Sequence, residues 1–540
     1  MKTGATKADF YACVASDPMT SGFRLNITRL NCLYRNFTYS SIRREGASMI
    51  LAIDQGTTGT TVNIFDETGD VRGRGYSEFR QIFPQPSWVE HDPNEIWQVT
   101  MSTIQLALDD AGVSFSDIAC VGITNQRETT VLWDRNTGEP VHNAIVWQCR
   151  RTTDLCNKLK ADNKASWIQD KTGLVVDAYF SATKIQWILN QNPEVKQAAE
   201  RGDIAFGTID SWLIWKLTGG EHHVTDHTNA ARTMLYNIKD KSWDAELLDY
   251  FHIPSVLMPT IRNSTAHFGM TDAAVTTNVR IPITGVAGDQ QAALFGQQCV
   301  NPGQVKNTYG TGCFMLMFMG QEYHKSEHGL LTTIACDAHG EPAYALEGAV
   351  FIAGAAIQWL RDSLGIIDKA SQTEEVASSL PDTKGVYFVP AFTGLGAPHW
   401  DMDARGAILG LTRGTGKNEI IRAALEAIAY QTTDVLKLMQ SESNMAIESM
   451  HVDGGASANS FLMQFQSNLL NIDVFRPQNV ESTLLGAALL AGIGAKFWDA
   501  DALPEQIHKL DRVFTPNMTE DLRTGLMSGW RDALNRVKTP

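Results

Sequence analysis

A two-lobed α/β architecture with a ligand cleft between the lobes is predicted by three observations. At 540 residues the chain is too long for one ordinary hydrophobic core. A glycine-threonine hairpin between apolar runs occurs twice, in ILAIDQGTTGTTVNIF from Ile50 and in VKNTYGTGCFMLMF from Val305. Around these hairpins, segments with period-2 apolar patterning give way to segments of helical period, the pattern of an α/β domain rather than of a bundle or sandwich.

The elements follow in order. Residues 1–48 lack the apolar core of a secretory signal and carry seven basic and three acidic residues. They read as an extension outside the domain: a tail, a targeting peptide, or an upstream translation ahead of a functional start at Met49. The first strand starts after Met49; a third follows the turn at Glu67 to Gly69. Glu95 to Ala111 repeats apolar residues at helical intervals, and IACVGITNQRETTVLWD returns to strand-turn-strand, with the charged turn Arg127-Glu128 expected to project from a sheet edge. Tyr179 to Asn190 reads as a helix entrance and amphipathic face, and IAFGTIDSWLIWKLTGG as a short strand and helix. In ITGVAGDQQAALFGQ an apolar strand ends at Gly288, a helix starts beyond it, and Asp289 is placed to point into a cleft.

After the second hairpin, ALEGAVFIAGAAIQWLRDSLG supplies a helix carrying Gly354 and Gln358 one turn apart. MHVDGGASANSFLMQFQSNLLN reads as strand, Gly454-Gly455 turn and helix. LLGAALLAGIGA, Leu484 to Ala495, is too short to cross a bilayer and too rich in small residues; it reads as a tightly packed helix, and no stable membrane insertion is expected. The boundary falls near 295–305, giving an N-terminal domain over 49–299, a C-terminal domain over 300–515, and a tail or helix over 516–540.

A net charge of −15 disfavours a broad basic surface, so no nucleic-acid partner is expected. With 43% hydrophobic and 19% charged residues, the composition fits a large buried core; 43 glycines fit many close turns or ligand-approached backbones. The eight cysteines show no CxxC spacing for zinc or redox chemistry, which points to reduced thiols and a cytoplasmic protein.

The first hairpin is either an ordinary turn or a phosphate cradle. As a cradle, Gly56 permits close backbone approach, Thr57 and Thr58 offer hydroxyl donors to phosphoryl oxygens, and Asp54 holds Mg²⁺ directly or through water. It matches neither GxxxxGK[ST] nor GxGxxG. Thr311, in the second hairpin, would receive the other side of the phosphate tail, with Gly455 and Asn459 at the sugar-base end of a nucleotide; Gly354 and Gln358 are secondary candidates. Asp289 is the candidate base for deprotonating an attacking hydroxyl, its alternative being a helix cap. Arg127 and Glu128 offer guanidinium donors and a carboxylate acceptor to a small polyol, or form a surface ion pair. Trp147, Tyr179 and Phe314 would line its carbon skeleton, or belong to the core.

Taken together, DQGTT from Asp54, NQRETT from Asn125, WQCRRT from Trp147, YFSATKIQWI from Tyr179, GDQQAALFG from Gly288, NTYGTGCF from Asn307 and DGGASAN from Asp453 resemble, in order and spacing, the FGGY family of carbohydrate kinases, and within it the branch acting on glycerol. The resemblance covers roughly Ile50 to Phe514. It implies the actin-like, ribonuclease H-like fold with its active site in the interdomain cleft, and transfer of the ATP γ-phosphoryl group to a terminal glycerol hydroxyl. It also implies a glycerol pocket of Arg127, Glu128, Trp147, Tyr179, Asp289, Gln290 and Phe314, with Asp289 the base. ATP would be held by Asp54, Thr57, Thr58, Thr311, Gly354, Gln358, Gly455 and Asn459, and Mg²⁺ by Asp54 and Asp289. A homodimer or homotetramer is likewise implied.

Two departures stand out. Thr61 occupies a place where many relatives carry an arginine, and AAVTTNVRIP keeps Arg280 but lacks the glycine-rich loop that binds fructose 1,6-bisphosphate in some bacterial relatives. Another sugar or polyol kinase of the same fold is the nearest alternative; an ATP-dependent binding protein or an actin-like structural protein is more distant.

Overall fold

The computed structural model describes residues 46–539 apart from 400, 402, 480, 505, 506 and 508. The extension read over 1–48 therefore lies almost wholly outside the described residues. Regular structure begins with the first apolar run. Strand β1 spans Met49–Gln55; the Gly56 N–H donates to the Gly59 carbonyl at 2.9 Å and turns the chain into β2, Gly59–Phe65, and β3, Val71–Glu78, completes an antiparallel meander. Helix α1, Pro93–Ala111, starts where Asp92 accepts from the Asn94 and Glu95 amides with proline in the first turn, and stops at Gly112 in the left-handed region at φ 66°. Strand β4, Ile118–Asn125, is buried along its whole length. Helix α2, Ser181–Gln191, short strand β5, Gly269–Met270, strand β6, Pro282–Gly288, and helix α3, Asp289–Gly296, complete the elements that shape this side of the cleft.

The first sheet runs in the order β5-β6-β4-β1-β2-β3, with β6, β4 and β1 mutually parallel. Strand β4 is thus interior. The Arg127-Glu128 turn leaves the carboxyl end of an interior strand, not a lateral edge strand, and both side chains are buried, which corrects the expectation of a projecting turn and excludes the alternative of a surface ion pair.

The second sheet repeats this plan. Strands β7, Val305–Tyr309, and β8, Cys313–Gly320, form the second hairpin, followed by β9, Leu331–Cys336, and β10, Pro342–Val350. Helix α4, Gly354–Asp362, and the long α5, Lys417–Ser443, precede β11, Ser449–Asp453, helix α6, Ser460–Leu470, β12, Asp473–Pro477, helix α7, Ser482–Gly494, β13, Leu510–Phe514, and α8, Glu520–Asn535. Their order is β9-β10-β8-β7-β11-β12-β13. In both sheets an antiparallel hairpin has parallel strands added beside its first strand, β4 and β6 in one and β11 and β12 in the other.

Alternation along β1 assigns the two faces of the first sheet. Leu51 and Ile53 enter the core that includes α1, whereas Ile50 and Ala52 enter the core built on α7. Helix α7 lies so close to the sheet that a Cβ added at Gly122 would stand 2.2 Å from the Ala487 carbonyl oxygen, and one at Gly285 would stand 2.2 Å from the Ala491 nitrogen. The small residues of LLGAALLAGIGA are therefore a packing requirement. Among the described residues no helix is long and apolar enough to cross a membrane, and the six described cysteines are buried.

Candidate active site

Strands β1, β4 and β6 end at one level, because Gln55 pairs with Asn125 and Asn125 with Gly288. Three loops therefore open at the same edge: the Gly56 turn, the Gln126–Glu128 turn and the start of α3. Ligands of parallel α/β sheets sit at this carboxyl edge. By alternation Asp54 shares the α7 face with Ile50 and Ala52, which turns it toward Asp289 and toward Glu481, the residue capping α7. Burial first, then the charges of Asp289 and Glu481, push its carboxyl up to about 8.

The second lobe faces this edge with one surface of its sheet. Across β7, β8 and β10 the register sets Lys306, Leu316 and Glu347 in one row, and Thr308, Phe314 and Ala349 in the next, with Asp453 of β11 beside Thr308. Met315, Met317 and Leu346 point the other way, into the core containing α5. A polar face thus stands on a sheet whose reverse is apolar.

Arg127 spans the gap. Its Nη1 donates to Glu347 Oε2 at 2.6 Å and to Gln291 Oε1 at 3.1 Å, its Nη2 donates to Glu347 Oε1 at 3.2 Å, and its Nε lies 3.1 Å from Asp289 Oδ1. Arg232, fully buried, donates from Nε to Glu128 Oε1 at 2.6 Å and from Nη2 to Glu347 Oε1 at 2.9 Å. Burial pushes the Glu347 carboxyl up, but Arg127 and Arg232 outweigh it and hold it down at about 2. Glu128 sits in the left-handed region at φ 62°, an unusual conformation for a residue with a Cβ, and its carbonyl accepts from Ser181 Oγ at 3.0 Å.

The candidate residues of the pocket meet as follows. Asp289 opens α3 rather than capping it; the N-cap is Gly288. Its side chain is 31% exposed and its Oδ1 accepts from the Gln290 amide at 2.7 Å. Gln290 accepts from Lys306 Nζ at 2.5 Å. Trp147 Nε1 donates to Thr57 Oγ1 at 2.9 Å and its ring meets Tyr179 edge-on at 5.5 Å, which joins the aromatic wall to the first hairpin. Phe314 lies on the cleft-facing surface of the second sheet by register.

The nucleotide candidates form a second group. Thr311 is exposed at the tip of the second hairpin, and its carbonyl accepts from the Ala353 and Ala355 amides at 2.9 and 3.0 Å, docking the hairpin on the start of α4. A Cβ at Gly354 would come within 2.5 Å of the Gly310 oxygen, so this junction needs glycine. Gln358 is exposed one turn further along α4, and Thr58 is exposed in the first hairpin. After β11, Gly454 takes φ 82° over Tyr309, and a Cβ at Gly455 would meet only open space. Asn459 is the N-cap of α6: its Oδ1 accepts from the Leu462 amide at 2.9 Å and its Nδ2 donates to Thr373 Oγ1 at 3.2 Å.

A magnesium ion fits this cleft on the chemistry of its donors. The carboxyl of Asp54, facing Asp289 and Glu481 and pushed up by burial, is a place where a cation relieves repulsion. Asp453 is 2% exposed and neither of its carboxylate oxygens has a hydrogen-bond partner. Among the described residues no three His, Cys, Asp or Glu side chains are grouped tightly enough to hold a metal unaided. This suits an ion that keeps waters and binds through one or two carboxylates plus phosphate oxygens.

Glu347, Arg232, Lys306, Gln291 and Asp453 were not among the residues singled out from the sequence. The available signal was a lone charge inside an apolar strand, as with Glu347 in YALEGAVF. A buried charge must have a partner or a ligand.

Residues 49–296 match the N-terminal domain of the FGGY family of carbohydrate kinases and residues 305–495 its C-terminal domain. A Thermotoga maritima protein named glycerol kinase 2 is 53% identical over 487 residues, 90% of this chain and 98% of that protein. A Symbiobacterium thermophilum glycerol kinase is 55% identical over 489 residues, 91% of this chain and 98% of that protein. The crystal structure of Plasmodium falciparum glycerol kinase with ADP is similar with a TM-score of 0.85 at 38% identity, covering 91% of this chain and 98% of that one. Gluconate kinase from Lactobacillus acidophilus shares the fold with a TM-score of 0.81 at 24% identity, covering 90% of this chain and 98% of that one. With its two domains matched in order and full-length relatives above half identity, the chain is a member of the FGGY family of carbohydrate kinases, with their two-lobed, actin-like fold.

Proposed function

We propose that this protein transfers the γ-phosphoryl group of ATP to a terminal hydroxyl of glycerol, giving ADP and sn-glycerol 3-phosphate, the first step of glycerol utilisation. The observation that carries this reading is the Arg127-Glu128-Asp289 group: a buried guanidinium and carboxylate beside a partly open carboxylate, walled by Trp147 and Tyr179. Such a pocket offers a small polyol a donor, an acceptor and an apolar side. The relatives named glycerol kinase, at 53–55% identity, support the same substrate.

In this mechanism Arg127 Nε and the Gln290 amide fix the Asp289 carboxylate, which takes the hydroxyl proton as the oxygen–phosphorus bond forms. Glu128 is itself fixed by Arg232 and orients the polyol. The two glycine hairpins hold the phosphate tail from opposite lobes, with Thr57 and Thr58 on one side and Thr311 and Gly354 on the other. Gly455, Asn459 and Gln358 border the nucleoside. Asp54 and Asp289 would hold Mg²⁺, which would supply charge neutralisation of the phosphates. Contacts of Arg127 and Gln290 with the second lobe close the cleft against water and limit wasteful ATP hydrolysis.

The proposal extends to a division into 49–299, carrying the polyol pocket and base, 300–515, carrying the nucleotide site, and a terminal segment over 516–540. It includes action in the cytoplasm and assembly as a homodimer or homotetramer, which sedimentation velocity reads directly. The test of function is magnesium- and glycerol-dependent ADP production with direct detection of glycerol 3-phosphate, with Asp289→Asn as control and gluconate and xylulose as competing acceptors. Glycerol 3-phosphate formation that requires Asp289 supports the reading; folded, ATP-binding protein that phosphorylates another acceptor and leaves glycerol untouched rejects it.

A further inference from the structure

Lys306 is fully buried on β7, on the face of the second sheet turned to the first lobe. Its ammonium donates to Gln290 Oε1 at 2.5 Å and to Thr308 Oγ1 at 2.6 Å, and both acceptors are neutral. Among the described residues no carboxylate lies within ion-pair distance of Nζ. The charges of Asp453 and Asp289 act on it from further away, and burial holds its pKa below the ordinary lysine value. Arg127 and Arg232, buried in the same cleft, each have a carboxylate in contact.

A buried cation without an anion in contact is costly, and the cost is removed when a ligand brings the anion. An ammonium has three hydrogens, and two of them are used here. The location says which anion. Thr308 is two residues before the Gly310–Gly312 hairpin, and Gln290 follows Asp289, so Nζ lies between the phosphate-holding loop and the base.

We infer that Lys306 is a catalytic residue whose ammonium holds an oxygen of the γ-phosphoryl group during transfer, an inference that rests on the kinase reading above. In that step the bond from the γ-phosphorus to the β,γ-bridging oxygen breaks and its electron pair leaves with ADP. The glycerol oxygen bonds to phosphorus, and its proton passes to Asp289. Lys306 stays protonated throughout; it stabilises the charge carried by the non-bridging oxygens, in a site dry enough for one donor to matter. It contacts only the terminal phosphoryl group, so ATP gains from it and ADP does not.

The test compares wild-type protein with Lys306→Met and Lys306→Arg in the full chain, reading affinity for ATP and for ADP by calorimetry alongside kcat and the KM for glycerol. For Lys306→Met we expect ATP affinity to fall about tenfold and kcat about 10²–10³-fold, with ADP affinity and the KM for glycerol within about threefold of wild type. Lys306→Arg keeps the charge but replaces a compact ammonium by a planar fork; kcat falls at least about tenfold, and this variant decides the matter if the methionine variant does not fold. Equal losses of ATP and ADP affinity, or a folded variant with kcat within about threefold of wild type, overturn the inference. If the wild-type protein phosphorylates a different acceptor, the glycerol reading fails alone, because the ATP-against-ADP comparison still decides the role of Lys306.

Discussion

Arg127 and Glu347 meet across the cleft at 2.6 Å, one from the loop ending a central strand of the first sheet and the other from the interior of the second. The contact makes the proposed polyol pocket and the second sheet parts of one charge network. Glu347→Gln leaves Arg127 and Arg232 with Glu128 and Asp289 as their remaining carboxylates. Breaking a buried pair from one side costs about 3–5 kcal/mol, so chemical denaturation should show a loss of that order. The KM for glycerol should rise at least about tenfold, because Arg127 loses the partner that fixes its guanidinium.

Asp289→Asn should separate binding from chemistry. The amide keeps the shape and still accepts from the Gln290 amide beside the Arg127 guanidinium, but it does not take up the hydroxyl proton. We expect kcat to fall by about 10²–10⁴, while glycerol and ATP affinities measured by calorimetry stay within about threefold.

Asp54→Asn should move stability and activity in opposite directions. Without ligand the Asp54 carboxylate suffers from burial and from Asp289 and Glu481, so a neutral amide should raise the midpoint of denaturation by about 1–2 kcal/mol equivalent. Magnesium-dependent turnover should be lost. Residues placed for function rather than for stability show this trade.

A buried acid away from the cleft sets a pH dependence. Asp210 accepts from Thr225 Oγ1 at 2.7 Å and from the Thr208 hydroxyl; burial and then Asp226 push its pKa up from 3.8 to about 7. The folded state therefore holds a proton that the unfolded state has released between these values. Its contribution to stability is full below about 4 and lost as the pH rises to about 7. Asp210→Asn should flatten the fall in denaturation midpoint over that window; an unchanged slope would remove Asp210 as its source.

The contact of α7 with the first sheet gives a packing test. A methyl at Gly285 would stand 2.2 Å from the Ala491 backbone nitrogen, where no side-chain rotation relieves it. Gly285→Ala should destabilise by at least ~1–3 kcal/mol, read by thermal unfolding.

Local pattern was enough for what depends on neighbours in the chain. The two hairpins, the helix from Asp289, the Gly454-Gly455 turn and the packed helix over Ser482–Gly494 all follow from periodicity and turn chemistry, and their folding brings Asp54, Asp289 and Trp147 to one edge. Periodicity misplaced the Arg127-Glu128 turn, because a strand's own residues do not say which strands lie beside it; only pairing with β1 and β6 made β4 interior. For the same reason Glu347, Arg232 and Lys306 did not stand out in the chain. They lie 220, 115 and 16 residues from the groups they bond in the network. The sequence by itself determined the elements and the hairpin loops, which are local consequences of residue type and spacing, and its resemblance to the FGGY family carried the class of chemistry. Tertiary structure alone decided which buried charges share a cleft, because a charge removed from water is held by whatever the packing of two lobes places beside it.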